Sequence, residues 1–276
     1  QIQEKFRDEP RPKSGLLRMR QFIMKDSYSF DIDPMAMEAS YKKHYDAYCR
    51  IYERCGLKYK IVEASSGTMG GKISHEFVAL SDAGEDWIVM CSCGYAANQE
   101  KATSCPPSIK DDPSELSPEP FSTPGQRTIG DMVKFTGETA AQFIKTLLYI
   151  SENKPVLVLL SGDHKLSDSK LEEALEAKAF RPATSEEVTH YLGVPLGFVG
   201  PVKVNGVRII ADTSLQGRRN MIAGANREDT HLRCVTPGKD FKAEYHDLHE
   251  VADGDLCVLC GLPLTVTKSI EIGHVF

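Results

Sequence analysis

Several features are missing from this 276-residue sequence, and each absence removes a class of protein. No apolar run approaches the roughly 20 residues that a membrane-spanning helix needs. There is no basic excess: 33 Lys and Arg face 39 Asp and Glu, a formal net charge of -6. A field over the whole surface therefore cannot draw in nucleic acid, and any RNA contact must be local. No secretory leader is visible, so the eight cysteines read as reduced thiols or metal ligands rather than a disulfide scaffold. No internal repeat is present. No Ser-His-Asp or Cys-His spacing marks a covalent nucleophile. The chain opens at Gln1, without methionine and in a strand-like pattern, and stops at Phe276 just after an apolar run. It is therefore expected to be an internal piece of a longer protein.

What is there begins with Phe6 to Asp31, a stretch dense in charges of both signs. Arg7 and Glu9 alternate on an expected strand, Ile2 to Arg7 and its continuation, so both project from one face. A loop, Pro10 to Gly15, precedes a returning strand, Leu16 to Phe30, that carries Arg18 and, four residues on, Phe22. On spacing alone this is either a solvent-facing ion pair or a site for a phosphate-bearing substrate, because guanidinium forks pair with phosphate oxygens.

Further along, Asp33-Pro34 is a helix start. Tyr41, Tyr45, Tyr48, Tyr52 and Cys55 then fall on one helical face, read as core, and Gly56 ends the helix. Strands are expected over 58–64, 75–80 and 86–91, with a Gly-rich loop at 65–74. This is an antiparallel sheet with a helix, not a βαβ array. Residues 103–125 hold six of the 15 prolines and read as a linker. A second domain follows. It has expected helices at 130–135, 138–150, 167–178 and 185–192 and a buried strand at 155–160. A hairpin is expected around Asn205-Gly206, from 202–204 to 207–211. Strand 231–235 and a returning hairpin at 256–267 lead to the last apolar strand.

The strings QIQEKFRDEPRP, LRMRQFIMKDSYSFD, GGKISHEF, GYAANQEKA and IEIGHVF occur in that order. Together they resemble the bacterial form of prolyl-tRNA synthetase, a class II aminoacyl-tRNA synthetase, over essentially the whole chain. The first two look like motif 2 of that class. One departure is Gln21, where the family usually has Glu. The resemblance implies roles by position. Arg7, Glu9 and Arg18 would act on ATP, which is used with Mg²⁺, and Phe22 would stack on adenine. Asp26, Tyr28, Gly70, Gly71, Ser74, His75, Glu76 and His274 would line the L-proline site. For His75 and His274 a structural histidine is the competing reading.

In the family an editing domain interrupts the core and deacylates tRNA(Pro) mischarged with alanine. IKTLL (144–148), SGDHKLSDSK (161–170), GFVGPV (197–202), ADTS (211–214), AGAN (223–226) and THL (230–232) resemble it. Lys145, expected on a helix, matches the family's functional lysine and would meet the tRNA terminal phosphate or ribose. Gly197, Gly200 and Gly224 would allow close backbone approach, and Asp212 and His231 match polar positions around the pocket. His164 reads as a surface turn residue. Arg218-Arg219 reads as a solvated face or a contact for the tRNA acceptor stem.

The implied architecture is α+β: a partial class II antiparallel sheet with helices, interrupted by a mixed α/β editing domain with a barrel-like sheet and surrounding helices. Its divisions are 1–102 for the first part of the aminoacylation core and 103–125 for the linker. The editing domain is 126–248, and 249–276 returns to the core. Cys91-x-Cys93 and Cys257-x-x-Cys260 could hold a structural Zn²⁺, or be a relic knuckle. Cys49 and Cys55 read as helix core, Cys105 as linker and Cys234 as a buried strand residue.

The implied activity is ATP-dependent ligation of proline to tRNA(Pro) with hydrolytic editing, by a cytoplasmic enzyme that is a homodimer at full length and has no membrane partner. Motif 1, motif 3 and an anticodon-binding domain do not occur in these residues, so this chain by itself is expected to make no prolyl-adenylate. Two alternatives are a stand-alone trans-editing deacylase built on 105–245 and a non-catalytic paralogue that binds tRNA or a synthetase. The presence of FRDE and IEIGHVF on both sides counts against the first. The presence of Arg7, Glu9, Arg18 and Phe22 counts against the second.

Overall fold

The structure is a computed structural model and describes residues 1–65, 73–105, 109–177 and 179–276. It divides into two units, residues 1–99 with 266–276, and residues 100–265. Among the described residues the protein is mixed α/β, with four α-helices and, in the first unit, a closed five-stranded barrel. Among the described residues no helix is long and apolar enough to cross a membrane.

In the first unit β1 (Ile2–Phe6) and β2 (Gln21–Lys25) pair antiparallel, with Phe6 opposite Gln21. Helix α1 (Pro34–Arg54) starts as its sequence dictates: the Asp33 carboxylate accepts the Ala36 N–H at 2.8 Å, and Pro34 needs no partner in the first turn. Its tyrosine stripe is core. Tyr45, Tyr48 and Tyr52 each hold their rings 5.2–5.6 Å from Phe77. Beneath lies the barrel of β3 (Lys60–Glu63), β4 (His75–Leu80), β5 (Asp86–Met90), β6 (Ala96–Asn98) and β17 (Thr265–Val275), ordered β17-β4-β3-β6-β5. A Cβ at Gly273 would lie 2.1 Å from the Tyr52 hydroxyl, so only glycine lets α1 lie this close to β17.

The second unit is built on a five-stranded sheet. Its strands are β9 (Ile144–Ser151), β10 (Lys154–Ser161), β11 (Phe180–Pro182), β12 (Arg208–Asp212) and β15 (Glu244–His246), ordered β11-β9-β10-β12-β15. A three-stranded sheet of β8 (Glu119–Ser122), β13 (Met221–Gly224) and β14 (Thr230–Val235) accompanies it, with β8 at one edge. A two-stranded pair, β7 (Ser104–Cys105) with β16 (Leu256–Cys257), completes the strands. Helices α2 (Ile129–Thr136), α3 (Asp168–Leu175) and α4 (Ser185–Leu192) each start at a Ser or Thr cap. Strand β10 is central. Val156, Val158 and Leu160 face one apolar cluster, while Leu157 and Leu159 face two others.

Several expectations change. Residues 138–150 are not a helix: a short 3-10 turn at 140–142 leads into β9. A strand buried on both faces reads as a continuous apolar run, which periodicity cannot tell from a buried helix. The proline-rich stretch is not only a connection. It contains β8, an edge strand, where Pro120 gives up no ladder hydrogen bond that is needed. Asn205-Gly206 does turn, with Gly206 at φ +75°, but no hairpin forms. The Asn226 amide donates to the Gly200 and Val202 carbonyls at 3.0 and 3.1 Å, which occupies the preceding backbone. Strand β12 then pairs parallel to β10 and β15. The returning strand is also shorter than expected, 21–25 in place of 16–30.

Candidate functional site

In the first unit β1 ends at Phe6. Arg7 adds one more pairing to Arg20, but the Glu9 N–H donates to the Arg7 carbonyl at 2.9 Å, so the strand alternation expected for Arg7 and Glu9 stops there. The turn before Pro10 breaks it. The Arg7 guanidinium sits 5.2 Å from the centre of the Phe22 ring. Arg18 pairs with Glu85 at 2.8 Å and with Glu9 at 3.4 Å, and Lys13 also reaches Glu85, at 3.1 Å. Asp26 pairs with Lys5 at 2.7 Å, and the Asp26 side chain pulls the Lys5 ammonium above its usual range. Tyr28 is exposed.

The register between β17 and β4 puts His274 opposite Glu76 and Val275 opposite His75. This assembles a polar cluster. Ser74 Oγ and His274 Nε2 lie 2.6 Å apart, Glu76 accepts the Asn98 amide at 3.1 Å, and His75 Nδ1 meets the Tyr41 hydroxyl at 2.6 Å. Burial, with His75 nearby, lowers the pKa of His274 and keeps it neutral. Gly70 and Gly71 lie outside the described residues.

The second unit holds a cavity of about 280 Å³. Lys145, Gly197, Gly224 and His231 all line it, together with apolar Met132, Ile222 and their neighbours. Strand pairing explains how. Lys145 lies on β9, not on a helix, opposite Leu160, and His231 on β14 faces Gly224 on β13. The Lys145 ammonium donates to the His164 carbonyl, and desolvation lowers its pKa against the pull of Asp163. His231 Nδ1 lies 2.7 Å from the Thr123 hydroxyl. Burial pushes the His231 pKa down to about 4, opposed by its hydrogen bond to Gly197, so the ring is neutral near pH 7.

The glycines are there for contact. A Cβ on Gly197 would lie 2.7 Å from Arg127 Cβ, and one on Gly224 would lie 2.2 Å from the Val199 carbonyl oxygen. Gly200 does not line the cavity but packs under it: its Cβ would lie 1.8 Å from the Gly224 carbonyl. Such an arrangement presents bare backbone and one neutral imidazole around a small apolar space, with the Lys145 ammonium turned to the His164 carbonyl. That suits a short acyl group and leaves donors for a developing oxyanion.

Asp212 lies elsewhere, fully buried at the end of β12. Its Oδ2 accepts the Leu248 N–H at 2.8 Å, the His249 N–H at 3.1 Å and His249 Nδ1 at 2.9 Å. Burial alone would raise its pKa, but the contacts with His164, His249 and Ser214 hold the carboxyl far below the usual carboxylate range. His164 is no surface residue. Its side chain is 14% exposed, and its ring stacks on His249 at 4.5 Å. The sequence carried no sign of His249, because its partner Asp212 is 37 residues away. Ligand atoms of His164, Asp212 and His249 lie within 4.8 Å of one another. Yet Asp212 Oδ2 is already filled by three N–H groups, so the cluster is built as an ion pair rather than as a metal cage. Arg218 is likewise no solvated residue: it is buried and forks onto Asp111 at 2.7 and 3.0 Å.

Each cysteine pair is a knuckle. The Cys91–Gly94 turn closes with the Gly94 N–H on the Cys91 carbonyl at 3.1 Å. In the other, Gly261 N–H donates to the Cys257 carbonyl at 2.8 Å, and Leu259 N–H reaches Cys257 Sγ at 3.4 Å. Cys55 is exposed as the C-cap of α1, so it is not helix core.

Residues 123–241 match the aminoacyl-tRNA editing domain family. The chain therefore carries a domain of the aminoacyl-tRNA editing class. Over its whole length it is 47% identical to the proline--tRNA ligase of Geobacter sulfurreducens and 45% identical to that of Acidobacterium capsulatum. With the proline--tRNA ligase of Solidesulfovibrio magneticus the identity is 48%. It covers 49%, 51% and 48% of those proteins, so it spans about half the length of the curated relatives it matches. The chain belongs to the prolyl-tRNA synthetase family and includes its editing domain. A solved structure described as a candidate trans-editing enzyme for prolyl tRNA synthetase is 26% identical, with a TM-score of 0.44. It covers 49% of this chain and 87% of that one.

Proposed function

We propose that this chain hydrolyses the ester of alanine mischarged onto tRNA(Pro), at the cavity lined by Lys145, Gly197, Gly224 and His231. The observation that carries this reading is the convergence of those four residues on one small, largely apolar space inside the stretch that matches the editing family. Water is the nucleophile, and backbone N–H groups freed by the glycines face the oxyanion. Lys145 meets the terminal phosphate or ribose of the tRNA. Asp212 acts at a distance, by holding the His249 ring and the backbone N–H groups of Leu248 and His249. The test is deacylation of alanyl-tRNA(Pro) by the 276-residue chain. Wild type is expected to exceed the buffer rate and Lys145→Ala to fall well below wild type; equal rates at the buffer level would end this reading.

A second activity is supported by the first unit. Arg7 lies over Phe22, Arg18 beside Glu9, and His274 beside Ser74 and Glu76, which supports an ATP role for the first four and a proline role for the last three. We propose that they belong to a cytoplasmic, homodimeric proline--tRNA ligase that uses ATP, Mg²⁺, L-proline and tRNA(Pro). For the isolated chain, proline-dependent pyrophosphate exchange is expected to be absent, and robust exchange would refute that. A structural Zn²⁺ is proposed on the type and spacing of Cys91, Cys93, Cys257 and Cys260, and metal analysis of the purified chain tests it. The flanking FRDE and IEIGHVF strings favour this reading over a stand-alone trans-editing deacylase.

A further inference from the structure

Thr146 follows Lys145 on β9 and lines the same cavity. Its Oγ1 is buried and has no hydrogen-bond partner among the described residues. Strand alternation places its side chain on the face of Ile144 and Leu148, which are 3% and 6% exposed. A hydroxyl there loses its water and gains nothing, whereas valine would fill the same space without that penalty. Such a group calls for a partner that the unliganded protein does not contain.

The chemistry of the other lining side chains says what that partner is. Lys145 and Arg127 are cations and cannot accept a hydrogen bond. The Thr128 hydroxyl is used in its capping box with Asp131. His231 is engaged at Nδ1 by the Thr123 hydroxyl and interacts with the Gly197 backbone. Among the described lining side chains, Thr146 is thus the uncommitted acceptor. Within the aminoacyl group itself the α-amine is the donor that demands an acceptor, and a plain acyl group lacks it. We propose that the Thr146 hydroxyl receives the α-amine of the aminoacyl group and makes this cavity specific for amino acids over plain acyl groups. The proposal rests on the editing function given above.

The test uses the 276-residue chain with Thr146→Val and Thr146→Ser, on alanyl-tRNA(Pro) and on propionyl-tRNA(Pro), which keeps the carbon skeleton and lacks the amine. Thr146→Val is expected to lower kcat/KM for the alanyl ester roughly 10- to 100-fold, the loss of one hydrogen bond to a charged group. It should leave the propionyl ester unchanged, and Thr146→Ser should retain most alanyl activity. The melting temperature of Thr146→Val should equal or exceed that of wild type. Undiminished alanyl activity in Thr146→Val, an equal drop on both esters, equal loss in Thr146→Ser, or a clearly lower melting temperature would each overturn the assignment while leaving the editing function standing. A wild-type chain that deacylates neither ester would overturn both.

Discussion

The Nδ1 atom of His249 lies 2.9 Å from Asp212 Oδ2, with both side chains shut off from solvent. The other end of the ring fixes its charge. His249 Nε2 is 2.9 Å from Ser104 Oγ, which is itself 3.1 Å from Asp255 Oδ2. A hydroxyl has one proton and the Asp255 carboxylate can only accept, so that proton points at Asp255. Nε2 must then be a donor, and Nδ1 donates to Asp212. The ring is an imidazolium, clamping β12 to β7 and to the turn before β16.

A pH dependence of stability follows from that clamp. Burial pulls the His249 pKa down, but Asp212, with help from Asp247, outweighs burial and the nearby Lys170, and the net shift is upward. A pKa raised on folding contributes stability that is complete below the unfolded value of about 6.5 and is lost as pH rises through the folded value. The wild-type melting temperature should fall along that alkaline limb. His249→Gln should melt lower at pH 6 and show a flatter limb, as read by melting curves between pH 6 and 9.

His231 has the opposite sign. Its folded pKa, about 4, lies below the unfolded value, mainly through burial. Stability is complete above the unfolded pKa of about 6.5 and is lost as pH falls from there toward 4. His231→Gln should therefore lose less melting temperature than wild type between pH 7 and 4.5. An identical acid limb in the two proteins would show that His231 takes a proton without penalty.

Gly224 and Gly130 make a contrast. A Cβ at Gly224 would sit 2.2 Å from the Val199 carbonyl oxygen and 2.4 Å from that of Phe198, both backbone atoms that cannot step aside. At Gly130, within α2, the nearest atom is Thr128 Oγ1 at 3.8 Å. Gly224→Ala is expected to cost about 1–3 kcal/mol, from overpacking, and to lower deacylation at least about tenfold by moving the cavity wall. Gly130→Ala should be neutral or stabilise by about 0.5–1 kcal/mol, since alanine is the better helix former. Denaturant unfolding of the two variants checks both signs.

How much of this could be read beforehand differs by element. Helix α1 was legible because its start is local chemistry, Asp33 and Pro34, and its buried face repeats at helical spacing. Strand β9 was not: IKTLLYIS is buried on both sides, so neither a 3.6 nor a 2 period shows. The residues around the cavity were legible only through the family strings, because Lys145, Gly197, Gly224 and His231 are spread along the chain with no shared spacing. The Asp212–His249 clamp and the Asp111–Arg218 pair were hidden for a related reason. Their partners are 37 and 107 residues apart, and nothing in a charge's immediate neighbours tells whether the fold will bury it.

Lys145 allows charge to be separated from packing. Its ammonium already donates to the His164 carbonyl, inside the unit, and desolvation lowers its pKa. A glutamine keeps a donor, one bond shorter, but carries no charge, so Lys145→Gln should melt within a few degrees of wild type. If the charge meets a tRNA phosphate, its loss should raise KM for alanyl-tRNA(Pro) more than it lowers kcat. It should also make log KM less steep in log salt concentration, by about one unit of slope per lost phosphate contact at most. An unchanged salt slope with a reduced kcat would instead place Lys145 at the ester. In that case its ammonium would act on the reacting carbonyl or the ribose hydroxyl rather than on the phosphate.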